Sequence, residues 1–369
     1  MSVTILTARA HRLFAPVVEA LGQCARKGED VLLLVPEQFT LAAERGVMER
    51  LSLTGMFLID VMSPSRLSEQ VLAAAGRDGR EPLDAAGRRM ALSQALERLE
   101  DKLPYYGSIA QRRGFVEKLD ALITDMKRGG LDPDRLKDYA DTLPAGSSRD
   151  KLTDLAKVYA QYREVLRGRF SDSEDQLAYV AGRLADSGFL RDKHLFVYGF
   201  DTLPEQLMRL LSAAVPLCKS LTIALICDAK TAPDGELYAP VRQGIARFQK
   251  MLFLSGESAQ LHALPPQLPD RPEAIAYLFA HPAPAFAGRP EGVYLSDGLS
   301  PYEEAALMTR EVRWLLAQGV DPERVAVFYP DGGGYAFAVT AALEDSGIPF
   351  YTDQQLSAAS HGLAQFWLA

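Results

Sequence analysis

The sequence predicts an α/β protein: a parallel sheet interrupted by an all-helical insertion, then the start of a second α/β domain. Three observations predict this. Over residues 1–60, short apolar runs alternate with stretches of helical spacing, the pattern of βαβ crossovers. Over residues 65–185 the spacing is helical only. Between 263 and 290 stand seven prolines, including Pro265-Pro266 and Pro282 and Pro284. Proline removes backbone donors and fixes φ, so this stretch is not a regular core element.

The elements follow in order. Val3-Thr-Ile-Leu6 is a β-branched run and reads as the first strand. His11 to Cys24 carries Leu13, Val17, Val18 and Leu21 at helical spacing. Val31 to Val35 is a continuous apolar run stopped by Pro36, as expected of a strand buried on both faces. Thr40 to Leu51 is helical, and Phe57 to Val61 is a further strand candidate. The insertion shows Leu67, Val71 and Leu72, then Met90, Leu92, Leu96 and Leu99, then Phe115, Leu119, Leu122, Ile123 and Met126, with no strand expected among them. The sheet resumes at His194 to Tyr198. Thr202-Leu-Pro-Glu205 has capping-box spacing ahead of a helix carrying Leu207, Leu210, Leu211 and Ala214, and Leu221 to Ile226 is the next buried strand. Ser300-Pro301-Tyr-Glu303 is a second capping box, opening a helix that buries Tyr302, Ala305, Met308, Val312 and Leu315 and closes at Gly319. Val325 to Tyr329 reads as a strand, and Gly347 to Tyr351 follows another helix. Leu363, Phe366 and Trp367 mark an amphipathic helix that the chain's end interrupts, so the chain is expected to be a piece of a longer protein.

Composition bounds the function. With 369 residues, 48% of them hydrophobic, the chain is a packed protein of two or three domains. No apolar run approaches the roughly 20 residues that span a bilayer. There is no leader pattern, and three scattered cysteines indicate reduced thiols and a cytoplasmic protein. A net charge of −8 excludes a small, purely electrostatic nucleic-acid binder. It leaves room for a local patch drawn from Arg88, Arg89, Arg112, Arg113, Lys127 and Arg128, or for plain solvated helix faces. The histidines His11, His194, His262, His281 and His361 lack ligand spacing with the cysteines, so no metal site is expected.

The succession of the Ser300 helix, the Val325 strand and the Gly347-Ile-Pro-Phe-Tyr351 turn resembles the opening of the second motor domain of superfamily 1 DNA helicases. That resemblance implies RecA-like domains, with a phosphate loop after the first strand. A phosphate loop needs glycines, a Lys and a Ser/Thr for Mg²⁺. The position instead reads Thr7-Ala8-Arg9-Ala10-His11-Arg12, a degenerate Walker A segment with no glycine. Either Arg9, His11 and Arg12 attract an anion at the helix start, or the segment is an ordinary turn. The acidic pair expected after the 194–198 strand is replaced by Tyr198-Gly199, followed by Asp201, which could hold a metal or serve a turn. The arginine expected after the 325–329 strand is replaced by Pro330-Asp331, with glycines at 332–334.

A more specific resemblance rests on Leu34-Val-Pro-Glu-Gln-Phe-Thr40, on Ser63-Pro-Ser-Arg-Leu67 after Asp60-Val61, and on Val197-Tyr-Gly-Phe200. Tyr302-Glu-Glu304, Gly347-Ile-Pro-Phe and His361-Gly-Leu363 extend it. In this order they resemble the N-terminal region of AddB, the nuclease-bearing subunit of the bacterial AddAB helicase–nuclease. The resemblance implies a RecA-like sheet from residues 1–64 and 186–262, a helical insertion at 65–185, a linker at 263–290 and the start of a second RecA-like domain at 291–369. It further implies a role in channelling single-stranded DNA during double-strand-break repair and recombination, beside an AddA-type motor. ATP/Mg, an iron–sulfur cluster and a nuclease metal belong to the parent family. No cofactor or catalytic residue is expected in this chain. Gln38, Phe39, Thr40, Ser63, Ser65 and Arg66 are the expected DNA contacts, because loops at the carboxyl ends of parallel strands face such a cleft. Phe39 stacking on a base would contribute ~1–3 kcal/mol, unless the ring is core under the following helix. Two alternatives stand beside this reading: a scaffold for the AddA motor without DNA contact, and an NTPase using Arg9, Arg12 and Asp201.

Overall fold

The computed structural model describes residues 2–9, 12–76, 79–99, 102–110, 112–171, 173–228, 232, 234–264, 279–283, 285, 287–288, 292–330, 334–352 and 362–368. The chain divides into two compact units, the first running through residue 270 with 275–285 added, the second formed by 271–274 and 286–369.

The first unit opens with β1 (Ser2–Ala8), α1 (Phe14–Arg26), β2 (Val31–Leu34), α2 (Thr40–Leu51) and β3 (Ile59–Met62). Then come α3 (Pro64–Ala75), β4 (Glu81–Pro82), α4 (Ala85–Glu97), α5 (Arg113–Arg128), α6 (Pro133–Thr142), α7 (Ser147–Leu166), β5 (Phe170–Ser171) and α8 (Ser173–Ser187). It closes with β6 (His194–Val197), α9 (Glu205–Ala214), β7 (Ser220–Ile226), α10 (Ala239–Leu254) and β8 (Ala259–Ala263).

Six of these strands form one parallel sheet in the order β3-β2-β6-β7-β1-β8, a RecA-like α/β arrangement. The sheet is buried on both faces, which explains why β2 reads as an unbroken apolar run. Leu32, Leu34, Leu195, Val197, Leu221 and Ile223 pack on one face, against α3, α8, α9 and α10. Val31, Leu33, Phe196 and Ala224 pack on the other, against α1 and α2. The insertion has its own core, built from Leu92, Leu96, Leu119, Ile123, Val158 and Tyr162.

Two expectations need correction in this unit, and one strand was not foreseen. The insertion is not strand-free: Glu81–Pro82 pairs in parallel with Phe170–Ser171 and ties its two ends together. Strand β8 was not legible, because Gln260 to Ala263 are exposed and no apolar pattern is required of an edge strand. The Thr202 capping box does not form. Leu203 is pulled into the core, so Pro204 stays extended as N-cap and the helix begins at Glu205, two residues too late for Thr202.

The second unit holds α11 (Pro301–Ala317), α12 (Tyr335–Asp345) and α13 (Gly362–Leu368). Ser300 caps α11 by accepting from the Glu303 amide at 3.3 Å, while the Glu303 carboxylate accepts from Leu299 N–H at 2.9 Å, one residue further back than a capping box requires. Gly319, with φ +85°, ends α11 in a Schellman motif: Val320 N–H donates to Leu315 O and Gly319 N–H to Leu316 O. Ala305 and Val312 are buried against Ala338, Val339 and Leu343, but Tyr302 is exposed. The expected strand at 325–329 pairs with no other strand among the described residues. Its period of two survives, with Val325, Val327 and Tyr329 packed on this small core and Ala326 and Phe328 outward. An extended segment without a ladder partner does not make a strand.

Candidate nucleic-acid interface at the carboxyl edge of the sheet

Parallel strands deliver their following loops to one edge. Here that edge collects the segments after β1, β2, β3, β6 and β7. The ends of β1 and β6 are separated by β7, hence by roughly 10 Å at two strand spacings.

After β1, Thr7 is buried and its backbone is engaged within the sheet, Thr7 O accepting from Leu264 N–H and Ala8 O from Cys227 N–H. Arg9 does not project toward solvent as an anion receptor. Its guanidinium donates to both carboxylate oxygens of Asp234, at 2.9 Å from Nη1, and to Asp228, which follows β7. It also lies 5.8 Å from the centre of the Tyr238 ring. Hydrogen bonding to Asp234, and then to Asp228, holds its pKa above the ordinary arginine value against the opposing effect of burial. The guanidinium is thus engaged by two carboxylates, and Arg242 donates to the Asp228 carbonyl beside them. Arg12 is half-buried at the start of α1, and Ala10 and His11 lie outside the described residues.

After β6, Tyr198 packs between Phe14 and Phe39, with ring centres 5.2 and 5.8 Å away, and burial pushes its phenol up. Gly199 has φ +83°, and a Cβ there would stand 3.2 Å from Pro36 and 3.4 Å from Phe39. The position is therefore suited to glycine on conformational and steric grounds. Asp201 sits in an exposed turn. Between them, these positions offer a neutralised arginine where a phosphate cradle would stand and a packed phenol and a glycine where magnesium carboxylates would stand. That donor set does not suit a magnesium nucleotide.

The loops after β2 and β3 are joined. Glu37 accepts from the Ser65 amide at 3.0 Å and from Ser63, so a carboxylate occupies the N-terminus of α3. Ser63 is buried and acts as the N-cap, its hydroxyl accepting from Arg66 N–H at 3.3 Å. Thr40 donates to Glu37 O at 3.2 Å. Phe39 is half-buried against Tyr198 and the core, the alternative already open to it. Gln38, Ser65 and Arg66 are exposed, in the segments that follow β2 and β3 at this edge. Of the six expected contacts, three thus face solvent and three serve the fold.

Burial would raise the Glu37 carboxyl, but the hydrogen bonds from Ser63 and Ser65 outweigh it and hold the group below its ordinary 4.5. A depressed folded value contributes stability above the unfolded pKa and loses it as pH falls through the folded one. Glu37→Gln is therefore expected to lower urea resistance at neutral pH and to converge on the parent chain as the pH falls through the depressed folded value. Urea titrations at neutral and at acid pH check this; a constant gap between the two proteins would remove the assigned role.

Three of the six basic candidates in the insertion are already engaged. Arg88 pairs with Asp120 at 3.0 Å, Arg89 with Glu117 at 3.5 Å, and Lys127 is buried over the Tyr162 ring.

In three dimensions, ligand atoms of Cys24, Glu29 and His194 come within 4.8 Å of one another at the opposite, amino edge of the sheet, a proximity that the sequence spacing does not show. Elements far apart in sequence bring them together, so no linear spacing could reveal it.

Comparison with known proteins follows the same direction. Residues 8–266 match the family described as ADDB, N-terminal. The B subunit of the ATP-dependent helicase/deoxyribonuclease of Symbiobacterium thermophilum is 28% identical over 93% of this chain and 31% of its own length. The proteins of the same name from Heliobacterium modesticaldum and Pelotomaculum thermopropionicum are 28% and 29% identical, each over 92% of this chain and about three-tenths of their own length. The chain spans about three-tenths of the curated relatives it matches. No helix among the described residues is long and apolar enough to cross a membrane. With a family match covering most of its length and a RecA-like sheet beneath it, the chain belongs to the AddB N-terminal family.

Proposed function

We propose that this chain is the non-catalytic, motor-like N-terminal region of a cytoplasmic AddB-type helicase–nuclease subunit, guiding single-stranded DNA in double-strand-break repair beside an AddA-type motor. In this reading residues 1–64 and 186–262 form the motor-like sheet, 65–185 its insertion, 263–290 a linker and 291–369 the start of a second such domain. One observation carries it: Arg9 at the phosphate-loop position is bound by Asp228 and Asp234. With its guanidinium taken up by two carboxylates, Arg9 is not free to receive the phosphates of a nucleotide. The NTPase alternative through Arg9, Arg12 and Asp201 loses its leading cation for the same reason.

What remains at the carboxyl edge is a polar strip of Gln38, Ser65 and Arg66, suited to backbone contact and not to base reading. The purified chain is expected to hydrolyse no ATP in a coupled assay with Mg²⁺ and single-stranded DNA. In fluorescence anisotropy it is expected to bind a single-stranded oligonucleotide weakly and salt-dependently, with Arg66→Ala lowering the log–log salt slope by about 0.7. ATP turnover would overturn the non-catalytic assignment. Absence of DNA binding, or a slope indifferent to Arg66→Ala, would favour the partner-scaffold reading.

A further inference from the structure

The amino edge of the sheet carries a second chemical cluster, remote from the strand ends that make the DNA-facing edge. We propose that Cys24, Glu29 and His194 form a binding site for a borderline-soft divalent cation, with Zn²⁺ the best match. The site is independent of the DNA-guiding reading.

The backbone builds the cluster. Helix α1 ends in a Schellman turn: Gly28 has φ +80°, its N–H donates to Ala25 O, and Glu29 N–H donates to Cys24 O at 3.2 Å. The turn folds Glu29 back beside Cys24. One residue on, Asp30 O accepts from His194 N–H at 2.8 Å, and Val31 pairs in register with His194. Helix α1, the turn into β2 and the first residue of β6 thus deliver a sulfur, an oxygen and a nitrogen to one place, all half-buried.

The side-chain geometry then suits a cation. His194 Nδ1 is held by Ser220 Oγ at 2.7 Å, which orients the ring and leaves Nε2 facing the cluster. Nε2 lies 3.1 Å from Glu29 Oε2, an ion-pair contact when the ring is protonated. Two ligands about 2 Å from one tetrahedral ion lie roughly 3.3 Å apart, close to that separation. The other Glu29 oxygen faces Lys219 at 3.5 Å, so Oε2 is the oxygen turned to His194. Cys24 Sγ lies within 4.8 Å of both partners. It needs to approach by about 1 Å, within the range of a side-chain rotation. Binding releases the thiol proton to solvent, giving a thiolate, a carboxylate and a neutral imidazole around M²⁺. Three protein ligands leave a fourth position for water. The mixed sulfur, nitrogen and oxygen set argues against Mg²⁺ and Ca²⁺.

The experiment uses the purified 369-residue chain, freed of metal by a chelator and titrated with Co²⁺ and then Zn²⁺. Expected are a thiolate-to-cobalt charge-transfer band at one equivalent, its loss on adding Zn²⁺, and a rise in melting temperature with either ion. Cys24→Ser should abolish the band and His194→Gln should weaken binding at least tenfold. A Cys218→Ser/Cys227→Ser double variant keeps Cys24 as its only cysteine and should retain the band, which keeps the test decisive should Cys24→Ser fail to fold. Absence of a charge-transfer band in the parent chain, or its loss in the double variant, overturns the proposal. In either case the cluster is an ion pair of Glu29 with His194 and Lys219.

Discussion

Arg9→Ala is expected to lower the melting temperature of the first unit by about 6–12 °C, from a loss of about 3 kcal/mol at roughly 2–4 °C per kcal/mol. The reasoning rests on what is left behind. Asp234 is only 5% exposed as a side chain and Asp228 25% exposed, and both now accept from the same guanidinium. Removing one partner of a desolvated ion pair costs more than the pair contributes, because the surviving charge keeps its desolvation and loses that partner. Two carboxylates face each other after the substitution, so repulsion adds to the desolvation. A triple variant, Arg9→Met with Asp228→Asn and Asp234→Asn, removes all three charges and should recover most of the loss. Circular dichroism melts of the three proteins decide it. If Arg9→Ala melts within a degree of the parent chain, the clamp does not hold the end of β1 to the segment after β7.

Asp154→Ala is expected to cost about 2–6 kcal/mol, two amides left without their acceptor at ~1–3 kcal/mol each, and to loosen the helical insertion. Asp154 is fully buried in α7, and its Oδ2 accepts from Tyr105 N–H at 2.8 Å and Tyr106 N–H at 3.2 Å. Those amides belong to the turn between α4 and α5, which no regular element satisfies. Oδ1 faces the half-exposed ammonium of Lys157 at 3.6 Å. Asp154→Asn keeps one acceptor oxygen for the two amides and loses mainly the Lys157 attraction, which is screened by solvent. It should cost about 1 kcal/mol. Urea unfolding separates the two variants, and hydrogen exchange at Tyr105 and Tyr106 localises the effect. Equal stability of the alanine and asparagine variants would mean the carboxylate does not organise that turn.

Where burial dictated residue type, the sequence was readable. Val31 to Leu34 are buried on both faces, and such a strand has to be apolar throughout. Gly319 and Gly347, both at positive φ, marked helix ends because a side chain is strained there. Strand β8 escaped notice because Gln260 and His262 are tolerated on an open edge. The replacement of the expected acidic pair was visible at Tyr198-Gly199, while the contacts made at the Arg9 position were not. Nothing in the neighbourhood of Arg9 announces Asp228 and Asp234, which arrive only through the pairing of β1 with β7. Likewise Ser63 looked like a surface contact and proved to be a cap, since Pro64 and the apolar Leu67 start a helix directly after it.

The strand order also constrains how the chain can be made. Residue 2 pairs with residue 220, and residue 31 with residue 194. On a chain synthesised from the N-terminus, β1 lacks both of its neighbours, and β2 one of its two, until the whole insertion has emerged. The insertion, with local helix–helix contacts and its own core, can form first. The central sheet then closes late, across a long loop, and its most apolar strands wait with open edges until it does. The feature that joins distant residues into one carboxyl edge is therefore also the one that makes this unit slow to complete and dependent on protection while it is incomplete.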